Sequence, residues 1–181
     1  MSVALVTGSG GGLGAAIAAR LTTDGYRVAG VDLSHSPDEA VERQYRYDLA
    51  DLENLDALVG EVEDDLGEIR LLVNNAGYWK PTSFFDLRAD QIQRNLTINV
   101  TAALLVCQAV ARRMAQSGGG SIVNISSIAG RRGSSQVDYG ASKAAVINFT
   151  TALARTLAGN IRINAVAPAL VEAGMGTKLP P

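Results

Sequence analysis

Val3-Ala4-Leu5-Val6-Thr7-Gly8-Ser9-Gly10-Gly11-Gly12-Leu13-Gly14 is the stretch whose reading decides the fold. Four apolar residues in succession, Val3 to Val6, read as a strand buried on both faces, because a half-exposed strand would alternate. The glycine string ends that strand, and from Leu13 to Thr22 small and apolar residues recur at helical spacing. Strand, tight turn and helix in immediate succession form the first half of a βαβ unit.

Outward from this seed the pattern repeats. Arg27 to Val31 reads as a second strand ending at Asp32, and Gln44 to Tyr47 as a third. Asp51 to Leu66 reads as a helix, with Leu52, Leu55, Leu58, Val59, Val62 and Leu66 along one stripe. Ile69 to Val73 is a fourth strand, and a loop through Pro81 leads into a long helix from Arg88 to Met114. Gly118-Gly119-Gly120 precedes a fifth strand, Ser121 to Ile125. A helix over Asp138 to Leu157 and a sixth strand, Ile161 to Val166, follow. Strands separated by helices of this length need right-handed crossovers, hence a parallel sheet covered on both faces. The sequence therefore predicts an α/β fold: one domain over residues 1–181, built as a Rossmann-type doubly wound parallel sheet of six strands.

Composition narrows the function. The chain has 16 Lys+Arg against 18 Asp+Glu, a formal net charge of -2, so a nucleic-acid binder with a broad basic surface is excluded. The N-terminus lacks the cationic flank and apolar run of a signal peptide. The richest apolar run, Thr101 to Val110, is closed by Arg112 and Arg113, which read as a solvated helix end, and no uncharged stretch reaches the length of a membrane span. Cys107 is the only cysteine and sits beside Leu104, Leu105 and Val106, the setting of a buried inert thiol; a reducing cytoplasm is the expected compartment. His35 has no second histidine or cysteine to share a metal with, so no metal site is expected.

Glycine is over-represented, 19 residues without a repeat, and its placement is informative. In the turn from Gly8 to Gly14 it lets the backbone approach a phosphate, and the N–H groups opening the helix then bind the negative charge. No Gly-Lys-Ser/Thr closes the turn, which argues against an ATPase-type loop and for a dinucleotide. Asp32 lies eighteen residues beyond Gly14, where a carboxylate accepts hydrogen bonds from ribose hydroxyls and repels a 2′-phosphate. With no Arg or Lys in the turn or just after Asp32, the expected cofactor is NAD rather than NADP. Asn74-Asn75-Ala76-Gly77 is a loop whose small residues admit a planar group. Asn99 is an amide inside the apolar stretch Leu96 to Val106, and a structural hydrogen bond would satisfy it.

Tyr139 and Lys143 stand four apart near a helix start, hence on one face. A phenol titrates near about 10, and a neighbouring ammonium lowers that value toward what a general acid/base needs. Asn124-Ile125-Ser126-Ser127 places hydroxyls at the carboxyl end of strand five, where parallel sheets bind ligands.

Taken in order, Thr7-Gly8-x-x-x-Gly12-x-Gly14, Asp32, Asp48, Asn74-Asn75-Ala76-Gly77, Asn99, Ser127 and Tyr139-x-x-x-Lys143 resemble the short-chain dehydrogenase/reductase family over essentially the whole chain. The resemblance implies an NAD-dependent oxidoreductase that interconverts a secondary alcohol and a ketone. It implies Tyr139 as the proton-exchanging residue, Ser127 on the substrate oxygen, and Lys143 lowering the Tyr139 pKa and holding the nicotinamide ribose. Asn99 would position a water that extends the relay. Cofactor contacts would fall to Gly8, Gly12, Leu13, Gly14, Asp32, Leu33, Asp48, Leu49, Asn75, Ala76, Gly77, Tyr139, Lys143, Pro168 and Val171. It further implies a homodimer or homotetramer formed through the helices carrying Asn99 and Tyr139. A dinucleotide-binding sensor or structural subunit without turnover is the alternative reading.

Two departures from the family pattern stand out. Its serine usually precedes the tyrosine by thirteen residues; Ser127 is twelve before Tyr139 and Ser126 thirteen, but Ser127-Ile128-Ala129-Gly130 matches the context, so Ser127 is chosen. After Pro168, Ala169 and Ala173 stand where the family has Gly and Thr. Family members continue through a substrate lid and a seventh strand, so the chain is expected to be truncated or naturally short, leaving strand six as an edge. Tyr78, Trp79, Phe84 and Phe85 either wall an apolar substrate site or anchor the loop.

Overall fold

The computed structural model describes residues 1–34 and 40–171; His35 and Ala173 lie outside the described residues. Its strands are β1 (Val3–Thr7), β2 (Arg27–Asp32), β3 (Arg43–Arg46), β4 (Ile69–Asn74), β5 (Gly120–Ile125) and β6 (Ile161–Val166). Between them run helices α1 (Gly12–Thr23), α2 (Leu55–Leu66), α3 (Ala89–Leu96), α4 (Ala103–Gln116), α5 (Ala129–Arg132) and α6 (Val137–Thr156). The strands form one sheet in the order β3-β2-β1-β4-β5-β6, with every neighbouring pair parallel. That is the doubly wound order, reversing between β1 and β4, so the crevice for a ligand opens at the carboxyl ends of these two strands.

Side-chain alternation divides the core. Val3, Leu5, Ala29, Val31, Leu72, Ile122 and Ile163 pack on α2, α4 and the inner stripe of α6, which brings Phe149, Leu153 and Leu157. Val6, Val28 and Val73 face the other way, onto Ile17, Ala18 and Leu21 of α1. β1 is buried at all five residues, as expected of a central strand. Two-sided burial fails at β6: Ile161 and Ile163 are buried, whereas Arg162, Asn164, Ala165 and Val166 are exposed, because α1, the helix on that face, packs chiefly over β1 and β2.

Local chemistry explains the other differences. α2 begins at Leu55 rather than Asp51, because Asp48 and Asp51 spend their carboxylates on the turn: Asp48 Oδ1 accepts from the Ala50 N–H and Asp51 from the Asn54 amide. The predicted long helix is present as α3 and α4, joined without a break by a π turn over Thr97–Ala102. At 28 residues, Ala89–Gln116 is long and apolar enough for a membrane span, which amends the sequence expectation; half of its apolar window is buried in this domain, as in a core helix. Arg113 is not solvated but reaches across to α2, its Nη1 2.8 Å from Asp56 Oδ1, and this guanidinium lowers the Asp56 carboxyl below its ordinary value.

A buried polar strap crosses the sheet just below the crevice. Asn74 Nδ2 donates to Asn124 Oδ1 (3.0 Å) and to the Ala103 carbonyl (3.1 Å), and Asn124 Nδ2 donates to Thr150 Oγ1 (3.0 Å). It joins β4, β5, α4 and α6 at one level. Cys107 lies against it, its thiol pushed up to about 12 by burial, and is the inert thiol its neighbours suggested. Replacing Asn124 by Ala removes one bond from Asn74, which keeps the Ala103 carbonyl, and one from Thr150, which keeps the Val146 carbonyl, and should cost about 2–3 kcal/mol in urea denaturation. A change within about 0.5 kcal/mol, the range of a surface substitution, would show that the strap carries no load.

Candidate active site

Turn geometry at the end of β1 builds one end of the site. Gly8 has φ +67°, and a Cβ there would stand 2.8 Å from Ala76 Cα. A Cβ on Gly14 would strike the Gly8 carbonyl and come within 2.6 Å of Asn75 Nδ2. The loops after β1 and β4 are thus pressed together, and they are also stitched. Thr7 Oγ1 accepts from the N–H groups of Asn75 and Ala76, both at 3.1 Å. Asn75 Nδ2 donates to the carbonyls of Thr7 (3.1 Å) and Gly8 (3.0 Å). α1 starts behind the turn with no side-chain cap and no acidic residue in its first turn, so its N–H groups are available to an anion.

Asp32 closes the turn from β2. Its Oδ2 accepts from the Gly10 N–H (2.9 Å) and its Oδ1 from the Ser34 N–H and hydroxyl (3.0 Å each). Beside it a recess of about 170 Å³ is lined by Gly8, Leu33, Tyr47, Asp48, Leu49, Ile98 and others. This places the predicted residues Leu33, Asp48 and Leu49 together. It also contains Arg94, whose guanidinium lies 5.4 Å from the Tyr78 ring centroid. A cation therefore does reach this end, carried by α3, although none lies near Asp32 in sequence.

The main cleft, about 500 Å³, runs from the turn to α6 and gathers Gly8, Gly12, Leu13, Asp32, Asn75, Ala76, Gly77, Ser127, Tyr139, Lys143, Pro168 and Val171. Gly14 is absent from its lining and works behind the turn as a contact residue. Sequence reading missed Ile128, Ser134, Gln136 and Leu170, which also line the cleft. Trp79 is in the wall; Phe84 and Phe85 are not, standing 63% and 93% exposed as an edge-to-face pair. The segment after β6 is fastened to the serine loop: the Ser126 N–H donates to the Val166 carbonyl (2.7 Å) and the Ile128 N–H to that of Pro168 (2.9 Å).

The two serines separate cleanly. Ser126 is buried, its hydroxyl donating to the Lys143 carbonyl at 2.7 Å. Ser127 accepts the Ala129 N–H at 3.2 Å and is the hydroxyl beside Tyr139. Lys143 is buried, with Nζ 2.9 Å from the Ile125 carbonyl and 5.8 Å from the Tyr139 ring centroid. Burial pushes its ammonium down to about 8. Burial likewise raises the Tyr139 phenol, with the Ser127 hydroxyl pulling the other way. The Tyr139 phenol is thus shifted upward on balance because its desolvation dominates, while the Lys143 ammonium is held on the Ile125 carbonyl.

Asn99 finds the structural partners that its burial demanded. Its Oδ1 accepts from the Tyr78 N–H (2.6 Å), and its Nδ2 donates to the Tyr78 carbonyl (2.9 Å), to Asn95 Oδ1 (2.8 Å) and to Ser142 Oγ (3.0 Å). It clamps the loop after β4 onto α6. Among the described residues no group of three or more His, Cys, Asp or Glu is arranged to hold a metal ion.

Comparison with known proteins agrees with this geometry. A family profile described as short chain dehydrogenase matches residues 2–181. The chain is 37% identical over 188 residues to D-threitol dehydrogenase of Mycolicibacterium smegmatis, covering 97% of this chain and 72% of that protein. It is 35% identical over 193 residues to acetoacetyl-CoA reductase of an Acinetobacter species, covering 98% and 77%. A crystal structure of NAD+-bound xylitol dehydrogenase superposes with a TM-score of 0.90 at 39% identity, covering 98% of this chain and 74% of that one.

The buried ammonium gives the site a pH signature. The folded pKa of Lys143, about 8, lies below its ordinary 10.5, so the unfolded chain binds this proton more tightly between those values. Stability from this group therefore rises with pH across that window, and its burial cost is complete below it. In the cofactor-free protein, the stability of wild type minus that of Lys143→Met should increase by about 2–3 kcal/mol from pH 7 to pH 10, read by urea denaturation. A flat difference would mean that Lys143 titrates normally.

Proposed function

The chain belongs to the short chain dehydrogenase family, and from that premise we propose that it is an NAD-dependent oxidoreductase interconverting a secondary alcohol and its ketone, with Tyr139 as the general acid/base. The observation that carries the reading is the cleft itself: one end is a glycine cradle with uncapped helix N–H groups, the other holds Tyr139, Ser127 and Lys143. The relatives named above act on threitol, acetoacetyl-CoA and xylitol by their names, each an alcohol or a ketone.

The residues present fit NAD. Gly8, Gly12 and the α1 N-terminus suit the pyrophosphate, because an added Cβ on Gly8 would press on the loop after β4, Gly12 lies at positive φ, and the first turn of α1 carries no acidic side chain. Asp32 suits the adenosine ribose, and Leu33, Asp48 and Leu49 the adenine recess. Asn75, Ala76, Gly77, Pro168 and Val171, with Tyr139 and Lys143, line the nicotinamide half. When bound, the nicotinamide supplies the acceptor or donor of a hydride.

The remaining chemistry is the protein's. Tyr139 Oη exchanges a proton with the substrate oxygen, and Ser127 Oγ hydrogen-bonds that same oxygen. A phenol raised by burial keeps its proton at neutral pH and is ready to donate in the reducing direction. In the oxidising direction the ammonium of Lys143 is the charge at hand to favour the phenolate. Asn99, its amide N–H groups spent, would serve a proton relay through its main chain within the π turn. An oligomer through α4 and α6 belongs to the same proposal, and α4 leaves Leu104 exposed for it.

Reduced-nicotinamide absorbance with a panel of secondary alcohols and ketones tests the reading. Tyr139→Phe should lower kcat by about 10³-fold or more while NAD affinity stays within about threefold; Ser127→Ala should lower kcat by about 10²-fold. Ser126→Ala should instead reduce stability, through the lost bond to the Lys143 carbonyl, and spare most of the rate. Full turnover in Tyr139→Phe, or NAD binding without turnover of any alcohol or ketone by the wild type, would favour the non-catalytic alternative.

A further inference from the structure

Gln136 occupies the N-cap position of α6, three residues before Tyr139, yet its side chain does not cap the helix. Its Oε1 accepts the Thr82 N–H at 3.1 Å. A backbone N–H can only donate, so this contact fixes which way round the amide sits: oxygen toward Thr82, nitrogen on the opposite side. The Nε2 group has no partner among the described residues and is not sealed from solvent, and the residue lines the cleft together with Ser127 and Tyr139.

The anchor that turns the amide is itself rigid. Thr82 Oγ1 bonds Gln91 Oε1 (2.9 Å), and Gln91 Nε2 donates to the Lys80 carbonyl (3.2 Å) and to Asp138 Oδ2 (3.3 Å), which also accepts from Asn95 Nδ2 (3.2 Å). Gln91, Asn95 and Asp138 are all buried. The amide is therefore oriented before any substrate arrives, and little entropy is lost when its free N–H groups are used. Around it the wall is mostly apolar, with Trp79, Ile128, Leu170 and Val171, and the neighbouring Ser134 hydroxyl accepts the Gln136 N–H at 3.1 Å. The cleft's charged side chains are Asp32, engaged at the glycine turn, and Lys143, engaged with the Ile125 carbonyl. An uncharged donor in an apolar wall selects a neutral oxygen acceptor.

We infer that Gln136 is a specificity-determining residue whose free amide N–H groups hold a second neutral oxygen of the substrate, one or two carbons from the reacting carbon. Resting on the oxidoreductase reading, this makes the preferred substrates diols, polyols or ketones bearing a nearby hydroxyl or carbonyl. Simple secondary alcohols satisfy Ser127 and Tyr139 but leave the amide unused.

Trp79, the only tryptophan in the chain, sits in the cleft and reports binding without turnover. In protein saturated with NAD, Trp79 fluorescence is titrated with butan-2-ol, butane-2,3-diol and butane-1,3-diol, and initial rates are measured in parallel. At least one diol should bind about tenfold tighter than butan-2-ol, the worth of one such hydrogen bond. Gln136→Leu should erase the gap and leave butan-2-ol unchanged. Gln136→Met keeps the length of the side chain but has no N–H to donate, and should erase the gap as well. No gap in the wild type, a gap surviving in either variant, or an equal weakening of all three ligands overturns the inference. A binding gap without turnover of any alcohol would sink the oxidoreductase reading and leave the role of Gln136 in ligand recognition standing.

Discussion

Everything at the carboxyl edge of the sheet depends on the stitch between the loops that leave β1 and β4. Parallel neighbours whose chains turn to opposite faces open a gap, and a gap lined by bare backbone is costly unless its polar groups find partners. Thr7 and Asn75 supply them, the hydroxyl taking two backbone N–H groups and the amide reaching two carbonyls. The N–H groups of Gly8 and Gly10 are spent on the Val31 carbonyl and Asp32, so it is the uncapped start of α1 that offers its N–H groups to a ligand. The contact also explains why glycine is needed twice, at Gly8 for a close approach and a positive φ, and at Gly14 for a helix seated against the turn.

A second layer of buried amides positions the reactive end in the same manner. Asn74 and Asn124 tie β4 to β5 and onto α6 through Thr150, while Asn99 ties the loop after β4 to Ser142. Tyr139 and Lys143 ride on the helix these contacts fix. Neutral amides suit this role because each both donates and accepts, and none introduces a charge that would compete with the one ammonium buried beside the phenol. Lys143 is held by a backbone carbonyl and an aromatic face rather than a carboxylate, so its proton remains sensitive to surroundings.

Local spacing made part of this legible in the sequence. Gly8, Gly12 and Leu13, Asp32, and Tyr139 with Lys143 are each defined by neighbours a few residues away or by a strand end, and the structure puts them in one cleft. The strands were legible because central parallel strands must be apolar throughout; β6 departed from the rule where α1 does not reach. Trp79 was legible as an aromatic just after the cofactor loop, whereas Gln136 and Arg94 carried no signal, since their place in the site comes from packing between distant segments. The sign of the Tyr139 shift was also invisible, because charge can be read from letters and burial cannot. α2 lost its first turn to Asp48 and Asp51, where a side-chain bond to the Ala50 N–H and another to the Asn54 amide outcompeted the helix.

β6, last in the described sheet order and bare on one face, has only β5 as a strand neighbour among the described residues. Its end hands the Val166 and Pro168 carbonyls to Ser126 and Ile128. Fraying of this strand would free the Pro168–Val171 segment of the cleft and the loop carrying Ser127 in one event, well below the free energy of global unfolding. Amide exchange should therefore reveal a cooperative unit made of β6 and the serine loop, opening while β1 and β4 remain protected. On heating, such a protein would lose its site before it lost its fold.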